Sequence, residues 1–191
     1  MELKEYRGQV VPYELFPQRK ITNEDGSVEM IAKYNTNEEL KALISHAPKP
    51  EWIKEKSFGQ KIKYVPIRVG ESLLRELFPA HQVIQQGEPK ILGNSIVVSV
   101  EVKVLHPFFG WMSYCGVGAA PIQLEKPLYD KVTKEQIGGA RSAIDFERIN
   151  ATGLHKVTPA AMGFAFSNAI KKIGRIFGSE LNNSKDEVYG Q

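Results

Sequence analysis

Several features that would define a functional class are missing from this sequence of 191 residues. A single cysteine, Cys115, excludes an internal disulfide framework, and the four scattered histidines lack the spacing of a metal site. No apolar run approaches the ~20 residues that a membrane-spanning helix needs. The first residues mix acids with bases, so we expect no signal or transit peptide. No GxxxxGK[ST] phosphate loop occurs, so we expect no ATP and no other cofactor.

The net charge is also small, since 25 Lys and Arg oppose 22 Asp and Glu to leave a formal charge of +3. Its placement is more informative than its total. Residues 1–60 carry −1, residues 61–127 carry +2 and residues 128–156 carry +1. Residues 157–179 contain three bases, Lys171, Lys172 and Arg175, and no acid. The basic excess is therefore concentrated toward the C-terminal half.

We interpret residues 1–60 as an irregular N-terminal extension that is a candidate for a subunit contact. We interpret residues 61–191 as the core. One short helix is predicted in the extension. It is capped by Asn37, ends near His46 and is stopped by Pro48 and Pro50.

In the core, alternation over residues 61–65 predicts a strand, and residues 70–78 predict a helix that is closed by Pro79. A short strand is expected at residues 81–86. The clearest strand is 95–104, with one branched apolar face: Ile96, Val98, Val100, Val102 and Val104. A second alternating set predicts a hairpin partner whose apolar face contains Phe109, Trp111, Ser113, Cys115 and Val117. Trp111 is thus expected in the core, and Phe108 and Phe109 in a subunit contact.

A long loop is predicted over about residues 120–156, with a helical turn around 144–149. A long helix should follow, with Thr158 as its N-cap and Pro159 as its first residue, and should run to Phe177. Its apolar face would dock on the sheet, and Lys171, Lys172 and Arg175 would form a stripe on the opposite side. The order strand, helix, three strands, long helix predicts an α+β domain with helices on an antiparallel sheet.

The stripe has two interpretations. A solvated helix face is the ordinary one. Surface helices usually interleave both signs of charge, however, and three bases without an acid favour anion binding.

The segment 168–178, NAIKKIGRIFG, resembles the signature helix of the Rad-fifty-two superfamily of single-strand annealing proteins, which includes phage proteins of the Sak type. That helix carries two bases, two further residues, an arginine and then phenylalanine-glycine. Upstream, Lys63-Tyr64-Val65, Arg68 and the helix ending at Phe78 resemble the family's first strand and helix. Gly116-Val117-Gly118 resembles its glycine-x-glycine. The likeness covers roughly residues 61–120 and 157–182.

The resemblance implies ATP-independent binding of single-stranded DNA and annealing of complementary strands in recombination or repair. The protein would act as a homo-oligomeric ring or filament in the cytoplasm of a bacterium or phage-infected cell, and would not be an enzyme. A single-strand-binding protein or an exonuclease would be a further partner. The implied phosphate contacts are Lys171, Lys172 and Arg175, followed by Arg68. Further candidates, each with a solvated surface residue as its alternative, are Lys61, Lys63, Lys103 and Arg141.

Two other functions remain open from the sequence. One is a small-ligand α+β enzyme with a pocket between the sheet and the long helix, holding Cys115, Tyr114 or His106. The other is a structural ring protein with no DNA role.

Overall fold

Antiparallel strands and three α-helices give the predicted α+β fold in a computed structural model, which describes residues 3–6, 9–12, 18–34, 36–58, 60–78, 80–142 and 145–182. The strands are β1 (Leu3–Tyr6), β2 (Gln9–Pro12), β3 (Gln18–Thr22), β4 (Val28–Ala32), β5 (Lys54–Phe58), β6 (Gln60–Tyr64), β7 (His81–Gln85), β8 (Lys90–Leu92), β9 (Ser95–His106), β10 (Gly110–Pro121), β11 (Leu128–Tyr129) and β12 (Gln136–Gly138). The helices are α1 (Asn37–Ser45), α2 (Ile67–Leu77) and α3 (Ala151–Ile170). No helix in these ranges is both long enough and apolar enough to cross a membrane.

Strand β9 organises the main sheet, in which it pairs with β10, β7 and β8. Its predicted apolar face is confirmed, because Ile96, Val98, Val100, Val102 and Val104 are all buried and alternate with half-buried residues. Branched side chains at every second position suit a strand with one face on a core. The strand predicted at residues 81–86 is confirmed as β7.

The prediction that residues 1–60 form an irregular segment with one helix is wrong for the described residues. Antiparallel hairpins join β1 to β2 and β3 to β4, and β5 pairs with β6. The turn of the second hairpin contains Gly26 at φ 79°. Charged sequences such as Lys54-Glu55-Lys56 lack the apolar alternation that reveals a half-buried strand, which is why pattern reading missed them.

Helices α1 and α2 confirm two sequence predictions, with shifts at their N-termini. The cap of α1 is Thr36 rather than Asn37: Thr36 Oγ1 accepts from the Glu39 amide at 3.1 Å, and Glu39 Oε2 accepts from the Thr36 amide at 3.2 Å. This is a complete capping box. Helix α2 begins at Ile67, directly after Pro66, and therefore three residues before the predicted Gly70.

The predicted inward face of β10 is wrong. Trp111 is 48% exposed and Val117 57%, and Cys115 is also exposed, whereas Gly116 and Gly118 are buried on the other face. A Cβ at Gly118 would lie 2.2 Å from both Ala161 O and Ala165 N of α3. The helix backbone therefore packs directly on the face of β10 that carries the glycines. The hydrophobic pattern predicted the opposite face because a glycine has no apolar side chain.

Helix α3 starts seven residues before the predicted N-cap, so the assignment of Thr158 as cap and Pro159 as first residue is wrong. Asn150 is at the start: its Oδ1 accepts from the Gly153 amide at 3.2 Å. Pro159 lies inside the helix, where it removes one backbone hydrogen bond. The added turns continue a buried row of small residues at i, i+4 spacing: Gly153, Val157, Ala161, Ala165 and Ala169.

The same helix ends earlier than predicted, at Ile170 instead of Phe177. Residues 171–173 form a turn, Gly174 is extended at φ 172°, and Arg175–Phe177 form a separate 3-10 helix. A Cβ at Gly174 would lie 2.5 Å from Ile44 O of α1. The chain leaves the helix here because Ile173 and Phe177 are buried on either side of this close backbone contact.

The predicted loop at residues 120–156 contains more structure than expected. It holds the β11–β12 hairpin, a 3-10 helix at Phe146–Arg148 and the first six residues of α3. The 3-10 helix lies within the helical turn predicted around residues 144–149.

By its internal contacts the chain divides into two compact units. The first contains residues 1–83, 102–114 and 169–191, and the second contains residues 84–101 and 115–168. The largest fully buried side chains of the first unit are Tyr34, Leu40, Leu74, Val102, Val104 and Phe177. Those of the second are Val98 and Val100. In the first unit the Tyr34 hydroxyl donates to the carbonyl of Leu77, at the end of α2.

Candidate nucleic-acid interface

The end of the described chain is fixed against β6 in the first unit. Asn182 Nδ2 donates to Lys63 O, and the Lys63 amide donates to Asn182 Oδ1, both at 2.9 Å. Since β6 pairs with β5 along its other edge, this side chain closes the open edge of β6 at Lys63. Gly178, at φ 87°, is close to Val65, the buried residue that directly follows β6, because a Cβ at Gly178 would lie 3.1 Å from Val65 Cγ2.

Lys171, Lys172 and Arg175 are the first predicted phosphate ligands, and they lie on the turn and 3-10 helix after α3. The prediction of a stripe on a helix face is therefore wrong, because the helix has already ended. Lys172 and Arg175 are nevertheless exposed, and Lys171 is half-buried. Ile173 and Phe177 of the same segment are buried. They anchor the backbone that carries the cations.

Arg175 is not an uncompensated charge. Its Nε lies 2.6 Å from Glu180 Oε2, an acid just beyond the segment in which the sequence showed only bases. Lys63 Nζ similarly lies 3.9 Å from Glu55 Oε1. The arginine and lysine side chains of these pairs are each 52% exposed, and exposed ion pairs contribute only about 0–1 kcal/mol. A phosphate can displace either carboxylate at little cost.

Lys61 and Lys63 project from one face of the β5–β6 hairpin, since residues two apart in a strand share a face. Their cross-strand partners are Ser57 and Glu55. The first strand of this hairpin carries two lysines that the sequence did not single out, Lys54 and Lys56. The signal was present as two Lys-x-Lys patterns on either side of a short turn, at residues 54–56 and 61–63.

The second face of the hairpin combines cations with apolar and aromatic groups. In the register, Lys54 pairs with Tyr64 and Lys56 with Ile62. Lys56 Nζ lies 5.1 Å from the centroid of the Tyr64 ring, within the range of a cation–π contact. With four lysines and one glutamate, residues 54–64 alone carry +3, which equals the charge of the whole chain.

Arg68 lies exposed in the first turn of α2, three residues after Val65, and so follows β6, to which Asn182 is bonded. The structure thus brings together the segments that carry Lys61, Lys63 and Arg68 with the one that carries Arg175. These segments are more than one hundred residues apart in sequence.

Lys103 and Arg141 are placed on other elements. Lys103 is half-buried on β9, at a position that alternates with the buried valines. Arg141 is exposed in the second unit, where its amide donates to Asp145 Oδ2 at 2.9 Å. For both residues, the DNA contact stays a prediction.

Two of the residues named for the alternative enzyme lie on β10. Cys115 and Tyr114 are neighbours on a strand and so face opposite sides of the sheet. At Gly118 the backbone of α3 packs directly on β10, so no cavity separates the two at that position. Within the described residues, no group of three or more His, Cys, Asp or Glu side chains could hold a metal ion.

Comparison with known proteins adds no relative. No protein-family model matches the sequence, and no curated protein matches it significantly.

Proposed function

We propose that the protein binds single-stranded DNA and anneals complementary strands without ATP. The observation that carries the proposal is the attachment of residues 171–182 to β6 through Asn182 and Gly178. This attachment joins Arg175, on one segment, to the strand of Lys61 and Lys63 on another. The resemblance of residues 61–120 and 157–182 to single-strand annealing proteins supports the same function.

The chemistry of binding is the neutralisation of phosphates. Exposed lysine and arginine side chains on a rigid backbone contact the sugar-phosphate chain and release its counterions. Because the nearby carboxylates form exposed and weak pairs, they tune the affinity without preventing contact. Contacts to the sugar-phosphate chain leave base edges free, and annealing requires free edges on at least one strand.

A homo-oligomer fits this chemistry, since each subunit contributes few cations. When many subunits act on one strand, modest individual affinities combine into tight binding. We accordingly propose a ring or filament working in the cytoplasm of a bacterium or phage-infected cell. Its proposed partners are a single-strand-binding protein or an exonuclease that supplies single strands.

The test mixes purified protein with complementary fluorescent oligonucleotides in the absence of nucleotide, while the size of the complex is measured. Faster annealing together with large assemblies is the expected result. The double charge reversal Lys172→Glu with Arg175→Glu should weaken binding at least about tenfold at low salt, since each lost phosphate contact costs affinity.

The matched control is Lys90→Glu with Lys131→Glu, which makes the same charge change at two exposed lysines of the second unit. Thermal unfolding of both variants verifies that the fold is kept. Equal binding by the Lys172/Arg175 variant and the wild type would refute the site. A wild-type protein that binds no single-stranded DNA at low salt would refute the function.

A further inference from the structure

A cleft of about 400 Å³ lies in the first unit, next to α2. Its lining residues include Trp52, from the 3-10 helix Pro50–Trp52, and Arg68 and Ser72 of α2. We call it the Trp52 cleft. An aromatic ring, a guanidinium and a hydroxyl group thus border one open cavity.

Two cations line the Trp52 cleft, Arg68 and Arg75. Arg75 Nη2 lies 3.9 Å from Glu71 Oε2 in an exposed and weak ion pair. Glu76, also in the wall, pairs with Lys33 at 2.9 Å. The guanidinium of Arg68 makes no ion pair or hydrogen bond with another residue in the described part of the chain. The cleft therefore offers a guanidinium to an anionic group.

Trp52 lines two clefts. Lys49 Nζ lies 5.1 Å from the centroid of its ring, and Lys49 lines the second cleft, of about 480 Å³. Lys49 does not line the Trp52 cleft. In that cleft Trp52 is therefore accompanied by Arg68 without a lysine, and nucleobases stack on aromatic side chains of this kind.

We propose that the Trp52 cleft holds one nucleotide of the bound strand, with its base against Trp52 and its phosphate on Arg68. The inference rests on the proposed function, because it assigns a contact to the same single strand. Arg68 follows β6, to which the segment of Lys171, Lys172 and Arg175 is attached through Asn182, so the bound DNA has a short path into the cleft. One base per subunit would be held while the neighbouring bases remain available for pairing.

The experiment compares two probes, oligothymidylate of about 30 nucleotides and an abasic oligodeoxynucleotide of equal length. Trp52→Leu should weaken binding of oligothymidylate at least about fivefold and leave the abasic probe unchanged, since it removes only the stacking surface. Arg68→Gln should weaken the binding of both probes, because both contain the phosphates. Trp52→Phe keeps an aromatic ring and should retain most of the affinity.

Lys131→Gln is the matched control, because it removes the same charge from an exposed residue of the second unit, outside the cleft. It should change the affinity for either probe less than twofold. A second measurement uses Trp111→Phe, which leaves Trp52 as the single tryptophan of the chain. Its fluorescence should be quenched by oligothymidylate and far less by the abasic probe.

The outcomes separate the two proposals. If the wild type binds neither probe, the proposed function fails. If it binds oligothymidylate while Trp52→Leu, shown to be folded by thermal unfolding, binds equally well and Trp52 fluorescence does not change, only the nucleotide cleft is overturned. Equal losses from Arg68→Gln and Lys131→Gln would also overturn it, because the phosphate would then not be placed on Arg68.

Discussion

His106 is a histidine enclosed by aromatic rings in the first unit. It is 7% exposed, and the ring centroids of Phe109 and Phe108 lie 4.6 and 6.0 Å from that of its imidazole. Its Nδ1 accepts a hydrogen bond from the Phe108 amide at 3.3 Å. Burial lowers the pKa of His106 below the usual 6.5, and the positive charge of Lys41 lowers it further.

This environment predicts that stability falls in mild acid. A lowered folded-state pKa means that the unfolded chain binds the proton more tightly, so the contribution of His106 is complete above about pH 6.5. It is lost as the pH falls through the folded-state pKa. His106→Leu should therefore reduce the loss of unfolding midpoint between about pH 8 and pH 5, measured by thermal unfolding.

His46→Asn is the control, since His46 is exposed at the C-cap of α1. It should keep the wild-type pH dependence. Part of that dependence will remain in His106→Leu because the pKa of His81 is also lowered, by burial and by Arg75. An unchanged pH profile in His106→Leu would contradict the prediction, because His106 would then bind its proton equally well in the folded and unfolded states.

At the scale of elements, the contact of α3 with β10 depends on the absence of a side chain at Gly118. A Cβ added at Gly118 would lie 2.2 Å from backbone atoms of Ala161 and Ala165. Backbone atoms cannot rotate away as the end of a side chain can. Asn168 holds the same contact, since its Nδ2 donates to Val117 O at 2.9 Å.

Gly118→Ala should therefore destabilise the protein by about 1–3 kcal/mol or more, because the helix must move away from the strand. Gly138→Ala in β12 is the matched control: its Cβ would meet only the side chain of Leu128, at 3.5 Å. Denaturant unfolding of both variants measures the difference. A Gly118→Ala midpoint equal to that of Gly138→Ala would contradict the close packing.

The elements that the sequence predicted correctly are those whose apolar side chains do the packing. The valines of β9 and the leucines of α2 leave a periodic pattern, so both elements and their buried faces could be predicted. On β10 and α3 the contact is made by Gly118 and small residues, which a hydrophobic pattern does not register. The end of α3 at Ile170 depends on the tertiary contact of Gly174 with Ile44, which no local pattern reveals.

The candidate site was predictable in part for the same reason. Lys171, Lys172 and Arg175 were visible as a run of bases, but their pairing with Glu180 and their attachment to β6 depend on tertiary structure. Lys54 and Lys56 were overlooked because β5 itself was not predicted. The sequence alone did not reveal that Trp52 and Arg68 line the same cleft, because the fold brings them together.

For the whole molecule, the distribution of charge has more meaning than its sum. Residues 54–64 hold a charge of +3, and the segment with Lys171, Lys172 and Arg175 is attached to the same hairpin through Asn182. Acids elsewhere return the total to +3. A protein with so small a net charge can still bind DNA strongly in salt-dependent fashion if its cations act at one place.

The salt dependence of binding measures how many of these cations contact phosphates. For single strands, the slope of log affinity against log salt changes by about 0.7 for each phosphate neutralised. Lys61→Gln with Lys63→Gln should therefore lower the slope by about 1.4, measured with oligothymidylate over a series of salt concentrations. Lys90→Gln with Lys131→Gln removes equal charge from the second unit and should leave the slope unchanged. Equal changes in both variants would mean that binding responds to net charge alone, and the hairpin would then lose its place in the interface.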